Sequence, residues 1–407
     1  MNTPTASRDA GLSRLAECAP LTGAVYTEWR NTDFGPTGEN RVTKLSPWLR
    51  HRLLLEPEVI DAAAAQHGLD GAEKFIQEVC WRAYWKGFLE RRPVHWYDYV
   101  TARQTQRTAY QRFRDQSQQL ERAEAGQTGI ECFDAWVDEL TTYNYLHNHA
   151  RMWFASIWVF TLGLPWALGA DFFLRHLLDG DPASNTLSWR WIAGYHTPGK
   201  TYLARPNNIE RHTQGRFTPG PELATEAPAP EGIERPPLGP APLPVAWQCD
   251  ERTGLLITED DLTPESLFGA QPWAASVAVQ ATQSRSEAPV SQAVAAFAHA
   301  GLGDALARNP ANSQLGPLAI NTEAERTAAV ERIRATGVDQ LLSAWVPTGP
   351  TADAVAALRV ALSAENIALK TVPRDWDIAV WPHSTHGFFR FWKAVGPWLA
   401  ERQAAGA

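Results

Sequence analysis

Apolar positions in the first half of the chain repeat with a helical period. Trp48, Leu49 and Leu53 to Leu55, then Phe75, Val79, Trp81, Tyr84 and Phe88, recur at three- and four-residue spacing with no alternating strand pattern between them. After a polar stretch around Gln104 to Gln127 the period resumes at Phe133, Trp136, Val137 and Leu140 and continues toward Leu178. This predicts an all-α first half. Met152 to Ala170 is a 19-residue run without a formal charge, long enough on paper to cross a bilayer. Gly163, Pro165 and Gly169 interrupt it near Leu164, and no basic cluster flanks it. The expectation is a buried core helix followed by a second helix, with no membrane span.

From about Thr218 to Pro244 the chain is dense in Pro, Gly, Ala and Glu, a composition that reads as a linker or surface loop. Beyond it the pattern alternates. Strands are expected at Ser276 to Ala281, Gly316 to Ile320, Asp339 to Val346 and Ala368 to Val372, and helices at Ser291 to Ala307, Glu323 to Thr336 and Thr351 to Ala364. Such alternation makes a parallel sheet with covered faces. The expected organisation is a multi-domain α and α/β chain: helical residues 1–217, a Pro-rich linker 218–250 and a small parallel α/β domain 251–407. The α/β part has neither a G-x-G-x-x-G after a strand nor a Walker loop.

Composition narrows the function classes. With 407 residues, 44% hydrophobic and 20% charged, the chain can bury a large core in two or three domains. Net charge is -8, yet residues 1–217 carry 24 Lys/Arg against 24 Asp/Glu, leaving 13 against 21 for the remainder. A neutral first half does not announce phosphate affinity, which then needs a local basic patch. Cys18, Cys80, Cys132 and Cys249 are scattered without a C-x-x-C pair, which predicts free thiols and no metal or iron–sulfur site. The N-terminus lacks a basic-then-apolar signal pattern, so cytoplasmic residence is expected. The 18 Trp suit buried surfaces, stacking platforms or electron transfer.

Two regions concentrate chemistry-bearing residues. Tyr26-Thr-Glu-Trp-Arg30-Asn31 is followed by Arg41-Val-Thr43-Lys44-Leu45-Ser46-Pro47, where Ser before Pro reads as a helix N-cap. Helix N-termini attract phosphates, so these hydroxyls with Lys44 could grip a pyrophosphate, and a bare N-cap accounts for them equally. Residues 128–191 contain Leu146-His147-Asn148-His149-Ala150-Arg151-Met152, Leu178-Asp179-Gly180-Asp181-Pro-Ala-Ser-Asn185 and Trp189-Arg190-Trp191. On one helix His147 and Arg151 would share a face. A buried guanidinium needs a carboxylate, with Asp179 or Asp181 the natural partner. A structural Arg–Asp pair explains each piece taken singly.

In order, the pieces resemble the flavin-binding core of photolyases and cryptochromes. The family's TG-x-x-x-x-DA, MHNR-x-RM-x-x-AS, D-x-D-x-A-x-N and W-x-W have counterparts here in TGIECFDA, LHNHARMWFAS, DGDPASN and WRW. Tyr26 to Ser46 is similar to its Y-x-x-x-RN…GTS-x-LSPYL, and Glu78 to Trp81 to its E-x-x-WRE. The resemblance implies an all-helical FAD-binding domain. Tyr26, Thr43, Lys44, Leu45 and Ser46 would hold the FAD diphosphate region, with Glu78 and Trp81 also at the cofactor. Asn148, Arg151, Asp179 and Asp181 would surround the folded cofactor, and Asn185 would face flavin N5. Trp189 and Trp166 match the proximal and middle members of the family's photoreducing tryptophan chain. Its outer member has no match, Trp85, Trp96, Trp153 and Trp158 being substitutes or core.

The resemblance also brings departures. The repair enzymes' W-R-E Glu is Ala83 here, and the MHNR Arg is His149, so the lesion side differs while FAD-facing residues are kept. Residues 194–217 replace the family's PYFR-x-FNP run and could touch phosphate or cap the adenine. Asp375 to Leu399 resembles the stretch that closes the family's N-terminal antenna domain, which implies an α/β domain relocated to the C-terminus; whether it holds a second antenna chromophore is open. The implied function is a blue-light-dependent flavoprotein, photoreduced through a Trp chain, that passes an electron to a lesion in damaged DNA or another acceptor, as a deoxyribodipyrimidine photolyase-like lyase. A cryptochrome-like photoreceptor acting on a signalling protein is the alternative, and a helical interaction protein without flavin is a third class.

Overall fold

The computed structural model describes residues 4–38 and 41–406. Residues up to His212 are helical, the long elements being Glu56–Gly71, Glu73–Glu90, Val94–Arg112, Arg114–Glu124, Glu131–Tyr143, Asn148–Ser156, Trp166–His176 and Pro182–Ile192. The polar stretch 104–127 is itself mostly helix. Its Gln, Arg and Glu residues lose little rotamer freedom in a helix, and Arg103, Arg107 and Arg175 gather around the buried Asp171 to hold it in place. The uncharged run divides as its Gly and Pro residues require. Asn148–Ser156 passes through a π-type turn, Ile157–Thr161, and a new helix begins at Trp166 after Pro165. No helix among the described residues is long and apolar enough to cross a membrane.

The second half is built on a five-stranded parallel sheet of order β3-β2-β1-β4-β5. Its strands are β1 (Thr253–Thr258), β2 (Ala275–Gln280), β3 (Ser313–Ala319), β4 (Gln340–Ala344) and β5 (Ala368–Val372). The central strand β1 has no counterpart among the strands expected from sequence, because every position is buried and no polar residue alternates with the apolar ones. Its pleat serves two cores. Leu256 packs with Val277, Val279 and Leu341, whereas Leu255 and Ile257 point to the other face and join the core of the helical half. Face-sharing of this kind welds the two halves together.

Residues 218–250 contain no helix or strand, yet they are tied down. Arg91 Nε donates to the Gly239 carbonyl at 3.2 Å and Arg92 Nε to that of Pro236 at 3.2 Å. The last helices, Asp375–Val380 and Phe388–Gly406, leave the sheet and pack on Glu73–Glu90, driven by buried Trp381, Phe388 and Phe391.

Candidate functional site

A cavity of about 450 Å³ opens in the helical half, within the range of roughly 300–1,000 Å³ typical of ligand sites. Five stretches of the sequence meet there. Tyr26, Arg30 and Asn31 come from the N-terminal turn, Thr43 to Ser46 from the start of Ser46–Arg50, and Glu78, Trp81, Arg82 and Trp85 from one face of Glu73–Glu90. Asn148, Arg151 and Met152 come from Asn148–Ser156, and Asp179, Asp181, Asn185 and Trp189 from the loop and helix that follow. Of the residues that the resemblance places at the cofactor or in the matched part of the tryptophan chain, Trp166 alone is absent from the wall. It lies against Tyr99 and Tyr195, at ring-centroid distances of 6.0 and 5.8 Å, with the Arg190 guanidinium 5.7 Å above its ring.

Charge in the wall is paired. Arg151 Nη2 donates to Asp179 Oδ2 at 2.9 Å. Burial alone would raise the Asp179 carboxyl, but Arg151 outweighs it and holds the group below its ordinary value. Asp181 is likewise buried and still held low, here by Lys86 at 3.3 Å and Arg82 at 3.8 Å. Its side chain also accepts from Ser184 N at 2.8 Å, capping Pro182–Ile192. Arg30 pairs with Glu78, whose carboxyl is raised by burial against that cation. Arg82, Arg30 and Lys86 complete a cationic set that sequence reasoning had left out, although positions 78, 81, 82 and 85 already share one helical face.

Lys44 lies at φ 54°, in the left-handed region that costs a residue with a side chain roughly 1–2 kcal/mol. Its Nζ stands 5.3 Å from the Tyr145 ring centroid, and Arg151 is 5.6 Å from the same ring. Two local expectations are corrected. Ser46 is not the N-cap: Leu45 occupies that position, no side chain caps the helix, and Ser46 is in the cavity wall. His147 does not share a helix face with Arg151, because it is itself the N-cap residue, with Nδ1 accepting from His149 N at 3.2 Å. Burial pushes the His147 imidazole down to about 4, so it is neutral at pH 7.

The two sequence departures fall differently. Ala83 is 1% exposed in the core and absent from the wall, because it is off the face that carries Glu78, Trp81, Arg82 and Trp85. The carboxylate that Glu73–Glu90 supplies to the wall is Glu78. His149 is turned away, stacked on Trp153 at 4.5 Å with Nδ1 2.9 Å from the Asn31 carbonyl. Residues 194–217 pack beside the cavity: His196 lies on Trp85 and Phe88, and Trp191 stacks on Tyr202.

The wall is chemically suited to a folded dinucleotide. Cations and hydroxyls (Arg30, Lys44, Thr43, Ser46) suit phosphates, and apolar and aromatic surfaces (Leu49, Met152, Phe173, Trp189) suit a flat ring. Asp179 Oδ1 and His147 Nε2 are buried in this wall without a hydrogen-bond partner, as expected where a ligand supplies part of the polar complement. Asn185 Nδ2 donates to the Ala170 carbonyl at 2.8 Å, which fixes the amide. Trp189 is edge-on to Phe173 at 5.1 Å and to Trp158 at 6.3 Å. Gly169 makes this possible, since a Cβ there would lie 2.3 Å from the Trp189 ring. Among the described residues no cluster of His, Cys, Asp and Glu could hold a metal ion.

Residues 75–216 match the family model described as the FAD binding domain of DNA photolyase. The deoxyribodipyrimidine photo-lyase of Streptomyces griseus is 34% identical over 210 residues, covering 49% of this chain and 42% of that protein. That of Thermus thermophilus is 30% identical over 236 residues, covering 55% and 53%. The chain thus spans about half or less of the curated relatives it matches. Among solved structures, a bacterial class III photolyase from Agrobacterium tumefaciens and a cryptochrome from Synechocystis sp. PCC6803 are each 24% identical, with a TM-score of 0.43 over 51% of this chain and 43% of theirs. The matched motifs and the cavity they build lie together in the first half, and it is this helical half that is similar to the photolyase/cryptochrome family.

Proposed function

We propose that the cavity binds FAD and that the chain is a light-driven flavoprotein which passes an electron to a pyrimidine dimer in DNA. What supports this reading above all is convergence: Tyr26, Thr43 to Ser46, Glu78, Trp81, Asn148, Arg151, Asp179, Asp181, Asn185 and Trp189 come from separate segments and line one cavity. FAD, when bound, supplies a ring that absorbs blue light and, once reduced, can give up an electron. Lys44, Thr43 and Ser46 bind the diphosphate, and Arg151, kept charged and oriented by Asp179, sets a positive potential beside the ring. Asn185, its amide held by Ala170, offers a carbonyl oxygen as a fixed acceptor. Glu78 and Trp81 stand in the same wall, at the cofactor.

Trp189 is the entry point for an electron from the protein. Trp166 is the expected next member, but Trp158 has the ring contact with Trp189 and competes for the role. Trp189→Phe should therefore slow photoreduction, and comparing Trp166→Phe with Trp158→Phe decides which residue follows it.

One observation favours the photoreceptor alternative: His149 is held away from the cavity, leaving one fewer cation for a DNA lesion. Blue-light irradiation of the reduced, FAD-loaded protein with dimer-containing single-stranded and duplex DNA separates the two. Restored thymine is the expected result. Flavin binding and photoreduction without repair would leave the photoreceptor, and a chain that takes up no flavin would remove both.

A further inference from the structure

Doubly wound parallel sheets hold ligands at the carboxyl ends of their strands, where the strand order reverses. In this sheet that point is β1, flanked by β2 and β4. The loops that leave the sheet there after β1, β2 and β4 all reach one segment of the helical half, residues 179–182. After β1, Asp260 forms a buried ion pair with Arg50, and Arg50 Nε donates to the Gly180 carbonyl at 3.0 Å. After β2, Arg285 is 3.5 Å from Glu259, and its Nη1 lies 3.3 Å from where a Cβ on Gly180 would stand. After β4, Gly349 comes so close to Pro182 that a Cβ on it would lie 2.8 Å from the proline ring. Gly180 stands between Asp179 and Asp181, the two carboxylates that pair with Arg151, Lys86 and Arg82 in the cavity wall.

We infer that the sheet's ligand crevice is occupied by the chain's own 179–182 loop, and that Asp260 is a positioning residue for the cofactor site in the other half of the molecule. The inference rests on the FAD reading of the cavity. Arg50 is fully buried, so its charge needs Asp260 at all times. With that charge neutralised, the Nε–H is directed to the peptide oxygen between the two cavity carboxylates. Without Asp260, Arg50 is a bare cation whose strongest remaining attraction is to Asp181, the carboxylate that Lys86 and Arg82 hold in the wall. Through Asp260 and Arg50 the α/β domain thereby acts on the Gly180 carbonyl between the two cavity carboxylates.

The test is FAD affinity of the full-length protein, read by flavin fluorescence on dilution and by the visible circular dichroism of the bound flavin. Asp260→Asn should weaken FAD about tenfold, equivalent to about 1.4 kcal/mol, and alter the dichroism, with Asp260→Glu restoring both in part. Arg50→Lys keeps the cation but loses the planar donor to Gly180, and should weaken FAD similarly, so the question is answered even if Asp260→Asn fails to fold. Asp377→Asn is the control: Asp377 joins the two halves through Arg52, at 2.6 Å, without contacting the 179–182 loop. It should lower stability and leave FAD affinity unchanged. Equal affinity in wild type, Asp260→Asn and Arg50→Lys would overturn the inference, as would an equal loss in Asp377→Asn. A wild-type chain that binds no FAD would bring down the reading of the cavity and the inference with it.

Discussion

The cavity wall and the carboxyl edge of the sheet are both lined with arginine–carboxylate pairs, yet one is open and the other is filled. In the wall, the Arg151 and Asp179 side chains are 22% and 4% exposed, so the cation still meets the cavity. At the edge, Arg52 and Asp377 are 1% and 0% exposed, and Arg52 also approaches Asp261 at 3.4 Å and Glu56 at 3.8 Å. Arg374 closes the same cluster with two bonds of 2.6 Å to Asp261. Similar residue types therefore serve two ends. A pair with one wet member can rearrange toward a ligand, whereas a dry cluster locks two domains and depends on every member.

This contrast can be broken most sharply at Arg52. Arg52→Met leaves Asp377, Asp261 and Glu56 buried, with Arg374 still on Asp261 and Lys86 near Asp377, and should cost about 3–5 kcal/mol of unfolding free energy, measured by urea denaturation. A loss below about 1 kcal/mol would mean that water reaches the edge and that the region is not dry.

A smaller and pH-dependent effect is expected behind the wall, at Glu139. Burial, with the nearby Asp33 charge, raises its carboxyl to about 7. Between the ordinary carboxylate range and pH 7 the folded chain therefore binds a proton that the unfolded chain has lost, so this group's contribution falls as pH rises through that window. Glu139→Gln should be more stable than wild type at pH 8 by on the order of 1–3 kcal/mol and nearly equal at pH 5. Parallel curves for the two proteins from pH 5 to 8 would show that Glu139 is ionised throughout.

The smallest stability effect is expected for Asp179→Asn. Arg151 can rehydrate through the cavity, so the loss should be about 1 kcal/mol or less, while FAD affinity falls far more than for any variant at the sheet edge. Loss of stability comparable to Arg52→Met, with affinity retained, would mean that the Arg151–Asp179 pair is a structural lock like the edge cluster.

Much of this site could be read from the sequence because its motifs are local. Leu146 to Met152 and Leu178 to Asn185 each place several wall side chains within one or two turns, and a buried guanidinium needing an anion left Asp179 or Asp181 as the partner of Arg151, of which the structure pairs Asp179. Ala83 was misjudged because motif order does not say which side of a helix faces the ligand. A position two residues from Trp81 is about 200° around the helix, and here it points into the core. Strand β1 escaped detection because a strand buried on both faces loses the alternation by which strands are recognised. Trp166 kept its place in the motif but lies outside the wall, since the Gly163 to Pro165 break starts its helix on a separate path.

The sequence by itself determined the helical first half and the alternating second half, since periodicity is a property of short segments, while the cofactor residues were named by resemblance to a family's motifs. Only the tertiary structure decided that the sheet's crevice is closed by Arg50, Arg52 and the 179–182 loop, and that the final helices return to Trp81, where Phe388 stacks at 3.9 Å. Those contacts join residues 130 to 325 positions apart. Such partners are selected by burial and charge balance in three dimensions, which leave no trace in local pattern.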